Sequence, residues 1–206
     1  MGKKRFIKEY VEPIVVAILI ALFVRTFVVQ AFKIPSSSME PTLLVGDHLL
    51  VTKFIYGIKI PFTESSLVRF KNPKRGDIVV FIYPKDPSKD FIKRVIGTGG
   101  EKIEIVRNKI YVNDQLIEDP WGHYSEKGEW SKYFPTMERY GPVVVPRDSL
   151  FVMGDNRDNS QDSRFWGFVN VNAVKGKALI LYFSWERNAE NLLGYIRWGR
   201  TGKLIH

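Results

Sequence analysis

Apolar positions follow two regimes along this chain. Ile14 to Val24 is an unbroken apolar run (IVVAILIALFV), and beyond Arg25 the chain turns apolar again through Phe27-Val28-Val29. As a helix, Ile14 to Phe32 would be roughly 28 Å long, about one hydrocarbon core. Lys3, Lys4, Arg5 and Lys8 precede the run. Residues 1–13 therefore read as a cytoplasmic tail, 14–32 as a membrane helix, and 33–206 as a domain on the far side. Arg25, toward the far end, can snorkel to the interface. Two other readings stay open: a cleaved secretory signal, with Val29-Gln30-Ala31 as its cleavage site, and a buried core helix.

Beyond Pro35 the pattern shortens to β-type runs between turn signals. They are Leu49–Phe54, Asp77–Tyr83, Phe91–Ile96, Lys102–Val106, Lys109–Ile117, Val143–Val145, Leu150–Met153 and Val174–Phe183. DIVVFIY at 77–83 is apolar on both faces, which suits a strand buried on both sides. Val112-Asn113-Asp114-Gln115 reads as a hairpin turn. No run after Pro35 carries a long helical period. The expected fold class is mainly β: an N-terminal transmembrane helix followed by an all-β sandwich or partly closed barrel. Residues 121–140, rich in Gly, charge and aromatics, read as a surface insertion.

Composition narrows the chemistry. The chain of 206 residues has no cysteine, which removes disulfides, thiolate metal sites and cysteine nucleophiles together. Its net charge of +9 suits an anionic membrane face, and the cations form no nucleic-acid motif. His48, His123 and His206 lie near no hydrolase motif, and neither G-x-S-x-G nor H-E-x-x-H occurs. Gly97-Thr98-Gly99-Gly100 precedes a strand and lacks the phosphate-loop frame, so it reads as a plain turn. The loop from Asp155 lacks the sixth-position glycine and twelfth-position glutamate of a calcium site.

Two features remain. Ile34-Pro35-Ser36-Ser37-Ser38-Met39-Glu40-Pro41-Thr42-Leu43 sets a serine cluster just past the span, with apolar anchors that a flexible linker does not need. Lys93 lies in Phe91-Ile92-Lys93-Arg94-Val95-Ile96, where strand alternation gives it Phe91 and Val95 as face neighbours. A serine nucleophile without histidine needs another base, and a lysine kept neutral by burial serves. Such a lysine would give activity an acidic limb near about pH 8–9, well below its unperturbed value. A surface lysine at a strand edge is the competing reading. Asp90, the carboxylate close in sequence, is expected to point away.

These blocks resemble bacterial type I signal peptidases. The resemblance runs in order through Pro35–Leu43, Gly46-Asp47-His48-Leu49-Leu50-Val51-Thr52-Lys53, Gly76-Asp77-Ile78-Val79-Val80-Phe81, Lys93-Arg94-Val95-Ile96-Gly97 and Gly154–Arg164. It implies Ser38 as nucleophile and Lys93 as general base. Ser36 would help the Ser38 backbone N–H hold the oxyanion, and Ser160 would orient the lysine. Asp162 and Arg164 would form a supporting ion pair. Phe32, Ile34, Pro35, Leu43, Leu49, Val80, Phe91 and Ile92 would line pockets for small side chains. The resemblance also implies no cofactor or metal, no nucleic-acid partner, and signal peptides of exported preproteins as substrates at a phospholipid bilayer. The location implied is the bacterial cytoplasmic (inner) membrane, crossed once, with the catalytic domain outside. Other readings are a non-enzymatic, membrane-tethered β-module that binds an exported partner, and a Ser–Lys processing peptidase of pilus-system or self-cleaving type.

Overall fold

The computed structural model describes residues 7–59, 66–124, 139–186 and 192–205. Its first element is a continuous helix, α1 (Ile7–Val28), long and apolar enough to cross a bilayer and with none of its most apolar stretch buried against the protein. The regular α-helical part is Glu12–Phe23, flanked by wider π-type turns at Ile7–Val11 and Val24–Val28. Pro13 lacks an N–H to donate back along the helix, in keeping with the looser turn before it. α1 ends four residues short of the expected boundary at Phe32. Val29–Lys33 is a strand, β1, because its backbone has a partner to pair with.

Thirteen strands are described. β2 is Asp47–Thr52, β3 Gly57–Lys59, β4 Ser66–Arg69, β5 Ile78–Ile82, β6 Asp90–Thr98 and β7 Lys102–Val106. β8 is Lys109–Val112, β9 Gln115–Leu116, β10 Arg139–Val144, β11 Ser149–Met153, β12 Val169–Asn170 and β13 Val174–Ser184. The main sheet runs β1-β2-β13-β5-β6-β11-β12, all neighbours antiparallel. A second sheet runs β10-β7-β8-β9, and β3 pairs with β4. After Pro35 the one α-helical turn described is α2 (Ser163–Trp166).

β5 behaves as its sequence predicts. Ile78 and Val80 join one apolar cluster, with Leu49, Val51 and Leu181, while Val79 and Phe81 join another, with Val95, Val152 and Trp166. A third cluster packs Ile96, Phe151 and Met153 of the main sheet against Ile103, Ile105 and Ile110 of the second. The 112–115 turn forms as expected, with Val112 opposite Gln115 and both Asn113 and Asp114 at positive φ. Gly97 and Thr98 end β6, and Gly99-Gly100 makes the plain turn to β7, closed by Glu101 accepting from Thr98 N–H. Of the segment 121–140, residues 125–138 lie outside the described residues. Its first residues are no loose surface: Trp121 stacks on Arg94, and His123 N–H bonds Asp155 O at 2.7 Å.

Candidate active site

The serine loop is built into the core. Ser36 is extended, and Ser37–Met39 makes one turn of 3-10 helix. Met39 and Leu43 are wholly buried in the β2-β5-β13 cluster, and Leu43 N–H bonds Met39 O at 2.9 Å. The two apolar residues that distinguish this stretch from a linker are therefore its anchors. The loop after β11 clamps the other side. Asn156 donates from its backbone to Ser38 O (3.1 Å) and from Nδ2 to Ser37 O (3.1 Å), and Asn159 Nδ2 bonds Ser37 Oγ at 2.8 Å.

Ser38 and Lys93 meet in this frame, though 55 residues apart in sequence. Lys93 Nζ lies 2.6 Å from Ser38 Oγ and 3.1 Å from Ile92 O. The lysine is 3% exposed, and its Nζ sits 5.5 Å from the Phe91 ring centroid. Removal from water is the main force on it and brings its pKa down to about 8. The Asp162 and Asp155 carboxylates pull the other way, and Arg164 pushes with burial. Asp90, as expected, points elsewhere and pairs with Lys175 at 2.7 Å.

Both cations of the Lys-Arg pair are buried, and their surroundings separate them. Arg94 donates Nε and Nη2 to the two Asp155 oxygens at 2.8 Å each, while Nη1 reaches Gly76 O at 2.7 Å. Asp155 also accepts from Thr42 Oγ1 at 2.6 Å, which ties this ion pair to the serine loop. Asp162 and Arg164 pair at 2.8 and 2.9 Å. Burial alone would raise the Asp162 carboxyl, but Arg164 and the Gly154 N–H hold it below the usual carboxylate range. Arg157 is paired with Asp119. Three arginines are thus each matched by an aspartate, and Lys93 is the cation that has a hydroxyl instead.

The other residues singled out by sequence are distributed as follows. Ser36 is exposed beside the turn that carries Ser38. Ser160 Oγ is buried close to Asp162 and helps hold it ionised, yet sits outside good hydrogen-bond geometry and does not bond Lys93. Phe32, Ile34, Leu43, Leu49, Val80 and Ile92 do gather in one cluster, in which Leu43 and Leu49 are completely covered. Pro35 is exposed, and Phe91 packs on the opposite cluster, stacked on Tyr83 at 4.2 Å. Sequence reasoning missed Thr42, Asp119 and Trp121, whose ordinary-looking positions carry no signal until the loops dock.

Gly154 is where the loops come closest. A Cβ there would stand 2.3 Å from both Ser160 Oγ and Ser38 O, against backbone that cannot yield. Gly154→Ala should therefore displace the serine loop and cut kcat by roughly a hundredfold, as expected when a reacting atom shifts by about 1 Å. Steady-state kinetics on a folded, purified variant checks this, and unchanged kcat would show that the loop has slack.

A β domain following an apolar helix of bilayer length, with a serine hydroxyl against a buried lysine amine, is an arrangement suited to hydrolysis of Ser–Lys type. A family model described as "Signal peptidase, peptidase S26" matches residues 7–185, and this chain belongs to that family of signal-peptide-cleaving serine endopeptidases. Signal peptidase I of Pseudomonas aeruginosa is 36% identical over 97% of this chain and 81% of its own length. That of Aquifex aeolicus is 37% identical over 86% of this chain and 84% of its own. A probable signal peptidase I-2 of Synechocystis sp. is 38% identical over 85% and 72%.

Proposed function

We propose that this enzyme cuts signal peptides from exported preproteins through Ser38 and Lys93. The supporting observation is the 2.6 Å contact between Ser38 Oγ and a lysine amine that burial brings toward neutrality. Neutral Lys93 takes the hydroxyl proton as Ser38 Oγ attacks the scissile carbonyl. The Ser38 N–H and the exposed Ser36 hydroxyl hold the oxyanion. Lysine-bound hydrogen then passes to the leaving amine as the C–N bond breaks. Water, deprotonated by the same amine, attacks the acyl-enzyme and releases the new carboxylate and Ser38.

Ser160 lies buried beside Asp162, whose carboxylate is fixed by Arg164 and acts on Lys93 through its charge. Phe32 and Ile92, partly open at the cluster's edge, touch the substrate, with Ile34, Leu43, Leu49 and Val80 as the floor that limits the pockets to small side chains. Phe91 gives Lys93 a dry wall, and Pro35 fixes the approach to the serines. The enzyme sits in the bacterial cytoplasmic membrane with its N-terminus in the cytoplasm, a topology supported by the basic residues ahead of α1.

The test is the pH profile of kcat/KM on a signal-peptide substrate, run beside Ser38→Ala. A lysine base works only when deprotonated. Activity should therefore fall as pH drops through about 8, the Lys93 value, and plateau above it. Ser38→Ala should show no cleavage. A limb near pH 10, or cleavage by Ser38→Ala, would reject the assignment.

A further inference from the structure

The end of α1 is held in an unusual way. The last four carbonyls of a helix have no partner within it. Here Lys53, just past the end of β2, takes three of the four. Its backbone N–H bonds Val28 O at 3.0 Å, and its Nζ bonds Arg25 O and Thr26 O at 3.2 Å each. The first contact extends the β1–β2 ladder by one residue, since Val29 is already opposite Thr52. Helix therefore passes into strand without a linker. β1 then leads through Ile34, whose N–H bonds Asp47 O at 2.8 Å, to the Ser36–Ser38 turn. From Val28 to Ile34 the chain is hydrogen-bonded to β2 or its approach, and Ser37 and Ser38 are held by Asn156 and Asn159 of the loop after β11.

Lys53 occupies this place against its own electrostatics. Burial, the Lys175 ammonium and the Arg25 guanidinium all disfavour its charged form. A side chain free to swing into water would leave such a position. The helix carbonyls, at the negative end of the macrodipole, are what holds it.

We propose that Lys53 is a positioning residue that locks the end of the membrane helix to the catalytic sheet. A signal peptide lying in the bilayer then meets Ser38 at an offset set by β1, roughly 17 Å long. This rests on Ser38 as nucleophile. The lock matters for a substrate that shares the membrane with α1 and is irrelevant for a short peptide arriving from water.

The experiment compares two substrates with full-length enzyme in phospholipid vesicles: a membrane-inserted preprotein and a short soluble peptide spanning its cleavage site. Lys53→Met should lower kcat/KM for the preprotein roughly five-fold, in keeping with loss of a cation at a helix C-terminus, and leave peptide cleavage unchanged. Lys53→Arg should restore the preprotein rate. A Gly-Ser-Gly-Ser insertion between Val28 and Val29 should give the same split between substrates. An equal loss on both substrates would mark Lys53 as merely structural, and an unchanged preprotein rate in Lys53→Met would overturn the lock. Peptide cleavage surviving Ser38→Ala would fail the catalytic assignment, while the split between substrates still decides the role of Lys53.

Discussion

Lys93→Met should lack all preprotein cleavage and yet melt higher than the parent at neutral pH. Methionine fills a similar volume and carries no proton acceptor strong enough to activate Ser38. The gain in stability follows from linkage. An unfolded lysine titrates near 10.4, and the folded one near about 8. Below about pH 8 the folded protein must carry a buried ammonium, so the penalty is fully present there. It fades as pH rises from 8 toward 10.4, where both states become neutral. The shift corresponds to about 3 kcal/mol, or a Tm higher by roughly 6–12 °C for a chain of this size. Thermal unfolding of Lys93→Met across pH 6–11, beside a cleavage assay, checks both halves. A variant that cleaves, or that melts lower than the parent at pH 7, would mean that the lysine is neither the base nor under strain.

Asp155→Ala should be the most damaging change for the fold. Arg94 and Asp155 are completely buried and joined by two bonds, and removing the carboxylate takes both bonds and a full counter-charge from the buried guanidinium. Such a loss costs about 3–5 kcal/mol. It also frees Thr42 Oγ1 and so loosens the serine loop. Denaturant unfolding should show the loss, while the double replacement Arg94→Met/Asp155→Leu should recover most of it, because two apolar side chains leave no charge stranded. Because Asp155 holds the Lys93 pKa up, any residual activity of Asp155→Ala should have its acidic limb moved to lower pH. A Tm within a degree of the parent would show that water reaches Arg94.

Apart from β3 and β4, which no predicted run covers, most strands were legible because each is an apolar run closed by turn residues. β1 was not. The apolar run continues from Phe27 through Val29 with no Gly or Pro between helix and strand. An apolar residue satisfies lipid and sheet core equally, so hydropathy cannot mark where one ends. β12 escaped notice because two residues hold no period, and the pairing that makes them a strand lies at Ser149 and Leu150.

By itself the sequence determined the elements that local chemistry dictates: an apolar span of bilayer length, a two-sided strand at Ile78–Ile82, a turn at Asn113-Asp114, and a serine turn anchored by Met39 and Leu43. Through its ordered blocks it also singled out Ser38 and Lys93 as candidates. Only the tertiary structure decided which of the two adjacent cations is neutralised by a carboxylate and which lies against the Ser38 hydroxyl. Lys93 and Arg94 have the same neighbours in sequence and are both buried. Asp155, more than 60 positions away, cancels the charge of Arg94 with two bonds, while Lys93 is left against Phe91 and the Ser38 hydroxyl. A pKa depends on the charges and dipoles within a few ångströms, and which ones arrive there is set by how the loops after β1 and β11 dock on β6.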